Sequence, residues 1–160
     1  MKEINLTQGK TALVDDADFE RINRHKWCVV GGRGYTHYAQ CSLGIIGGKH
    51  VTSYMHRLIL NLSAGDPKVD HRDRNGLNNQ KNNLRLATDS QNHANRNKNQ
   101  NTSTGFKGVY RNNERYQACI KVAQRKLYIG TYRTAREAAL AYNIVAHNLF
   151  GEFARFNHVF

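Results

Sequence analysis

The sequence predicts an α+β protein in two parts: a largely antiparallel amino-terminal half, and a smaller carboxy-terminal unit of three strands and one helix. Three observations carry this. Short strand-like runs are punctuated by glycine pairs as far as Tyr54, and an asparagine-rich stretch from Asn75 to Asn101 is broken at intervals by leucines. The polar segment 98–105 then has almost no apolar anchor, and strand and helix patterns resume after it.

Taken in order, residues 4–14 read as two short strands around the Gln8-Gly9-Lys10 turn, and Asp15-Asp16 as the cap of a short helix carrying Phe19 and Ile22. Segments 27–30, 35–43 and 50–54 are strand-like, separated by Gly31-Gly32 and Gly47-Gly48. Residues 55–62 read as a short helix before the Asp66-Pro67 turn. The ten asparagines from Asn75 to Asn101 resemble a low-complexity tract, but Leu77, Leu84, Leu86 and Ala87 fall where a compact turn and strand need them. Asp89-Ser90 are placed to cap a helix running to about Lys98. Segments 106–111, 116–122 and 127–132 read as strands with turns at Asn112-Asn113 and Gln124. A helix follows, opened by a capping box at Thr134 and Glu137 and stopped at Gly151. The domains are therefore 1–97 (core about 54–97), a linker at 98–105, and 106–160, and the two halves are expected to be separable.

Charge narrows the function. Lys and Arg number 24 against 12 Asp and Glu, a formal net charge of +12, which calls for a polyanionic partner. No secretory h-region and no run of about 18 apolar residues is present, so a cytoplasmic protein of a bacterial or phage-infected cell, without a membrane partner, is expected. Cys28, Cys41 and Cys119 lie far apart, so neither a disulfide framework nor a structural zinc site is expected.

The segment Val69-Asp70-His71-Arg72-Asp73-Arg74-Asn75-Gly76 sets an Asp-His pair ahead of Asn82-Asn83-Leu84 and Ser90-Gln91-Asn92. Over about residues 54–97, including His56-Arg57, this resembles the HNH family, the ββα-metal nucleases. The resemblance implies a ββα-metal core with an amino-terminal antiparallel β extension, and an endonuclease that hydrolyses phosphodiester bonds, nicking or cutting double-stranded DNA. By position it makes His71 the general base, Asn83 the residue that orients it, and Asp70 and Asn92 the ligands of one divalent cation. That cation would be Mg2+, with Mn2+ able to substitute, because the ligands are hard oxygens. His56, Arg57, Arg72, Arg74 and Arg96 are assigned to DNA. Asn92 stands where many members carry histidine, a variant associated with the homing-endonuclease branch. Adjacent strand residues point to opposite faces, so the chain is expected to bend at Asp70-His71.

Residues 106–160 resemble the Apetala-type DNA-binding domain of plant ethylene-response factors, through Phe106-Lys107-Gly108-Val109-Tyr110, Tyr128-Ile129-Gly130-Thr131-Tyr132 and Thr134 to Tyr142. By position, Lys107, Gly108, Tyr110, Lys121, Lys126 and Tyr128 would face DNA, with Arg111, Arg115 and Arg125 nearby. Cys119 and Tyr110 depart from the plant pattern, so base preference does not transfer. The alternative is a non-catalytic DNA-binding protein with a degenerate nuclease core; the intact Asp70, His71, Asn83 and Asn92 speak against it. Monomer and homodimer both fit the sequence.

Overall fold

The computed structural model describes residues 1–31, 36–96 and 103–159. They form two compact units, Met1–Leu86 and Ala87–Phe160. Tyr35, Gly32, Lys98 and most of the linker segment lie outside the described residues.

The first unit opens with a hairpin of β1 (Lys2–Asn5) and β2 (Thr11–Val14), Ile4 pairing with Ala12. Gln8 in the connecting turn has φ 61°. Helix α1 (Asp16–Ile22) follows, and its buried face sends Ile22 into the core, where the Trp27 indole N–H donates to the Ile22 carbonyl at 2.9 Å. Asp15 sits at the cap position but makes no capping bond. Its carboxylate instead accepts from the Lys81 backbone N–H at 2.8 Å, tying the start of α1 to a distant loop.

An antiparallel sheet follows, with order β3 (Cys28–Val30), β4 (Tyr38–Ile46), β5 (Lys49–Tyr54). Alternation along β4 buries Ala39 and Cys41 while Tyr38 and Gln40 stay half-buried, and the strand leaves the core after Cys41. The chain passes from β5 directly into α2 (Met55–Ile59), which ends three residues short of the predicted Leu62. Met55 and Ile59, one turn apart, are almost fully buried. Strands β6 (Lys68–His71) and β7 (Leu84–Ala87) then pair as a two-stranded sheet.

The second unit begins with α3 (Asp89–Asn95), closed by a capping box between Thr88 and Gln91 rather than by Asp89. Three antiparallel strands, β8 (Val109–Asn112), β9 (Arg115–Val122) and β10 (Arg125–Tyr132), form a sheet with β9 central. Phe106 lies before the first of these, not in it. Helix α4 (Ala135–Phe150) carries the expected Thr134–Glu137 box and stops at Gly151, where φ is 50°. Its Ala138, Ala139, Tyr142 and Ala146 cover one face of the sheet, meeting Val109, Ala118 and Ile120. Ala94 of α3 belongs to the same cluster, buried with Ile120, Tyr142, Ala146 and Phe150. The sequence groups α3 with the first half by its motif; packing groups it with the carboxy-terminal sheet. Among the described residues no helix is long and apolar enough to cross a membrane.

Candidate active site

The asparagine tract is a scaffold of side-chain-to-backbone turns. Asp73 accepts from the Asn75 N–H at 2.8 Å, and Asn75 in turn accepts from the Leu77 N–H at 3.1 Å. Asn83 closes the loop: its Oδ1 accepts from the Asp73 N–H at 3.0 Å, and its Nδ2 donates to Asp73 Oδ1 at 2.9 Å and the Asn78 carbonyl at 2.8 Å. Its carbonyl also accepts from the Arg72 N–H at 2.9 Å. Outside this loop, the edge of β2 holds it, Leu13 exchanging backbone bonds with Leu77 and Asn79 at 2.8 Å. Gly76 is required by space, since a Cβ there would meet the Tyr38 ring at 2.6 Å and the His37 carbonyl at 2.4 Å.

The loop sets the position of the residue that ends β6. His71, the last residue of that strand, is 4% exposed, and its Nε2 lies 3.3 Å from Asn79 Oδ1. This contact fits the tautomer with the hydrogen on Nε2 and the lone pair on Nδ1. The ring also meets Tyr38 at 5.8 Å and, edge-on, His56 at 5.1 Å between centroids. Burial pushes the His71 imidazole below its ordinary pKa, against the opposing pull of Asn79, Asp73 and Asp70. Asp73 moves down as well: burial alone would raise it, but the amides of Asn75, Asn78 and Asn83 and the nearby His71 favour its charged form.

Asp70 is equally buried, at 4%. Arg85, from the paired strand, reaches its Oδ2 with Nε at 2.9 Å and Nη2 at 2.8 Å. The Asp70 carboxylate thus meets an arginine and the His71 imidazole two aromatic rings and an amide, and the strand ends at His71, whose carbonyl accepts from the Arg74 N–H at 2.9 Å.

The structure places the other predicted residues of this region as follows. His56, assigned to DNA, is only 8% exposed, stacked on Tyr54 at 5.4 Å, with its Nδ1 buried and unpartnered. Arg57 braces the following loop, donating to the Ser63 and Pro67 carbonyls. Arg72 and Arg96 are exposed and Arg74 is half-buried with φ 67°. Asn92 lies half-exposed on α3 in the second unit.

On the sheet of that unit, register places Lys121 opposite Lys126, Cys119 opposite Tyr128 and Gln117 opposite Tyr110 on the face away from α4, with Arg115 of the same parity. Tyr110 and Tyr128 are exposed, and the Lys126 ammonium sits 4.0 Å from the Tyr110 ring centroid. Arg111 and Arg125, paired with Tyr116 and Val122, have the opposite parity and leave that face. Gly108 also faces away from it: with φ +74°, a Cβ there would strike the Tyr142 ring at 2.3 Å. Lys107 is turned inward onto α3.

Arg85, Asn79 and Gly76 were not singled out by the sequence. Arg85 had a readable signal, a cation between Leu84 and Leu86 of a predicted strand; Asn79 was hidden among identical neighbours.

Among the described residues no three His, Cys, Asp or Glu side chains converge as a metal cage. Asp70 supplies a hard carboxylate oxygen, which fits a cation that takes most of its ligands from water and phosphate.

The fold, small antiparallel sheets and helices in an α+β arrangement, is compatible with a nuclease domain built around these residues. The family model for HNH endonucleases matches residues 53–94. An Acanthamoeba polyphaga mimivirus protein described as an uncharacterized HNH endonuclease is 33% identical over 154 residues, 95% of this chain and 77% of the viral one. The chain belongs to the HNH endonuclease family.

Proposed function

We propose that this protein is a divalent-cation-dependent endonuclease of double-stranded DNA in which His71 is the general base. The observation that carries the reading is His71 itself: a buried imidazole held neutral, its ring fixed by Asn79 and by a loop that Asn83 locks in place. His71 Nδ1 takes the proton from water as the water oxygen forms its bond to phosphorus and the bond to the departing oxygen breaks. Asn83 orients the base through the 72–79 loop.

By place in the motif, Asp70 would hold the cation through its carboxylate and Asn92 through its amide oxygen. When bound, the cation supplies charge stabilisation at the phosphate and the departing oxygen. Mg2+ is the natural ion, with Mn2+ as substitute, and Arg85 holds the Asp70 carboxylate in place. A single site of this kind cuts one strand at a time, and the asparagine at position 92 favours the homing-type branch.

The second unit grips DNA with the sheet face of Tyr110, Arg115, Lys121, Lys126 and Tyr128, as the Apetala-type likeness implies. Lysines there contact phosphates, and the tyrosines supply apolar area. Arg72, Arg74 and Arg96 add to the backbone contacts.

Plasmid cleavage tests the metal requirement: EDTA abolishes it, and Mg2+ or Mn2+ restores it. Restoration by zinc but by neither of these would show that an oxygen-ligand site is the wrong reading.

A further inference from the structure

We infer that Lys107 is a positioning residue, not a DNA contact: it fixes the carboxy-terminal turn of α3 and through it the side chain of Asn92. The inference rests on the reading of Asn92 as a cation ligand. Lys107 Nζ donates to the carbonyls of His93, Ala94 and Arg96, the last at 2.8 Å. They lie at the end of a short helix, where a cation meets the negative end of the helix dipole; the His93 carbonyl also accepts from the Arg96 N–H and the Ala94 carbonyl from the Arg155 N–H, both at 3.3 Å.

The lysine is itself held. Asn157 brackets its backbone, Oδ1 accepting from the Lys107 N–H at 2.6 Å and Nδ2 donating to its carbonyl at 3.0 Å. Asn143 of α4 brackets Asn157 in the same manner, at 2.7 and 2.9 Å. The chain of amides therefore runs from α4 through Asn157 and Lys107 to the end of α3. Two further contacts hold α3 at its other end and its side: Ser90 Oγ accepts from the Ala123 N–H at 2.9 Å, and Ala94 is buried under Tyr142 and Phe150. Seven residues make a helix too short to persist alone, so its geometry comes from these supports. The unit that carries the basic sheet is thus also the frame of the motif's last residue, and a chain ending near Asn101 would lose that frame.

The test compares full-length Lys107→Met with full-length Lys121→Met, a lysine on the exposed sheet face. Amide exchange over 93–96 should accelerate at least ~10-fold in Lys107→Met, the amount that corresponds to a capping loss of about 1.4 kcal/mol. The Mg2+ concentration for half-maximal cleavage should rise several-fold, while the slope of log DNA affinity against log salt stays unchanged. Lys121→Met should do the reverse, with a slope shallower by about 0.9 and unchanged exchange. Asn157→Ala, which leaves the charge of Lys107 in place, should reproduce the exchange signature if Lys107→Met does not fold. A shallower slope with unaltered exchange in Lys107→Met would overturn the inference, as would faster exchange with an unmoved Mg2+ midpoint. Exchange and salt slope, measured with His71→Ala to prevent cutting, need no catalysis and so decide the cap even if the nuclease reading fails.

Discussion

Acid should destabilise the first unit, and His56 sets the size of the effect. Burial, and after it His71 and Arg57, push the His56 imidazole down to about 3. In the unfolded chain it titrates near 6.5. Between those values the unfolded state binds the extra proton, so stability is full above about 6.5 and is lost progressively as pH falls toward about 3. At pH 4.5 the imidazole lies about two units below its unfolded value, which costs about 3 kcal/mol. His71, lowered by burial in the same sense, adds to the loss. Asp18 and Asp73, both held below 3.8, contribute only as pH falls through that value. Urea unfolding at pH 7 and pH 4.5 measures the difference, and His56→Phe keeps a ring against Tyr54 while removing the titration. The substituted protein should lose about 3 kcal/mol less than the parent between the two pH values. Equal losses in both proteins would refute the placement of His56 as a buried neutral imidazole.

Two more outcomes concern Arg85 and the basic sheet face. Arg85→Met leaves the Asp70 carboxylate buried without its guanidinium, both side chains being under 10% exposed at 8% and 5%, and should cost about 3–5 kcal/mol in urea melts. Asp70→Asn in the same chain should recover most of it, whereas a loss below about 1 kcal/mol would mean the pair carries no stability. Lys121→Ala with Lys126→Ala, in a His71→Ala background, should make the salt dependence of DNA binding shallower by roughly 2, and an unchanged slope would remove this sheet face from the DNA interface.

Most elements were legible because their signals are local. The Thr134–Glu137 box, the turn at Gln124 and the alternation around Lys121 each depend on a few neighbouring residues, and each stands where the sequence puts it. The features that were not legible depend on tertiary partners. Asp15 looks like a cap, yet a backbone N–H far along the chain claims its carboxylate. His56-Arg57 looks like a polar pair at a surface, but α2 turns the histidine inward with Met55 and Ile59. Lys107 and Gly108 read as DNA-facing by family position, and only the Tyr142 ring and the end of α3 explain why both residues turn the other way. In the candidate site, the Asp-His pair and the asparagines were visible as a pattern. The division of labour among the asparagines was not, since Asn79 touches the His71 ring and Asn83 the loop, and identical side chains carry no label for either task.

The central claim is that His71 takes the proton from the attacking water. Single-turnover nicking of plasmid DNA by the parent and by His71→Ala, with affinity for the same DNA measured in parallel, tests it most directly. The rate should fall by at least ~10²-fold while affinity changes less than about twofold. A substituted protein that cuts at nearly the parental rate would contradict the claim.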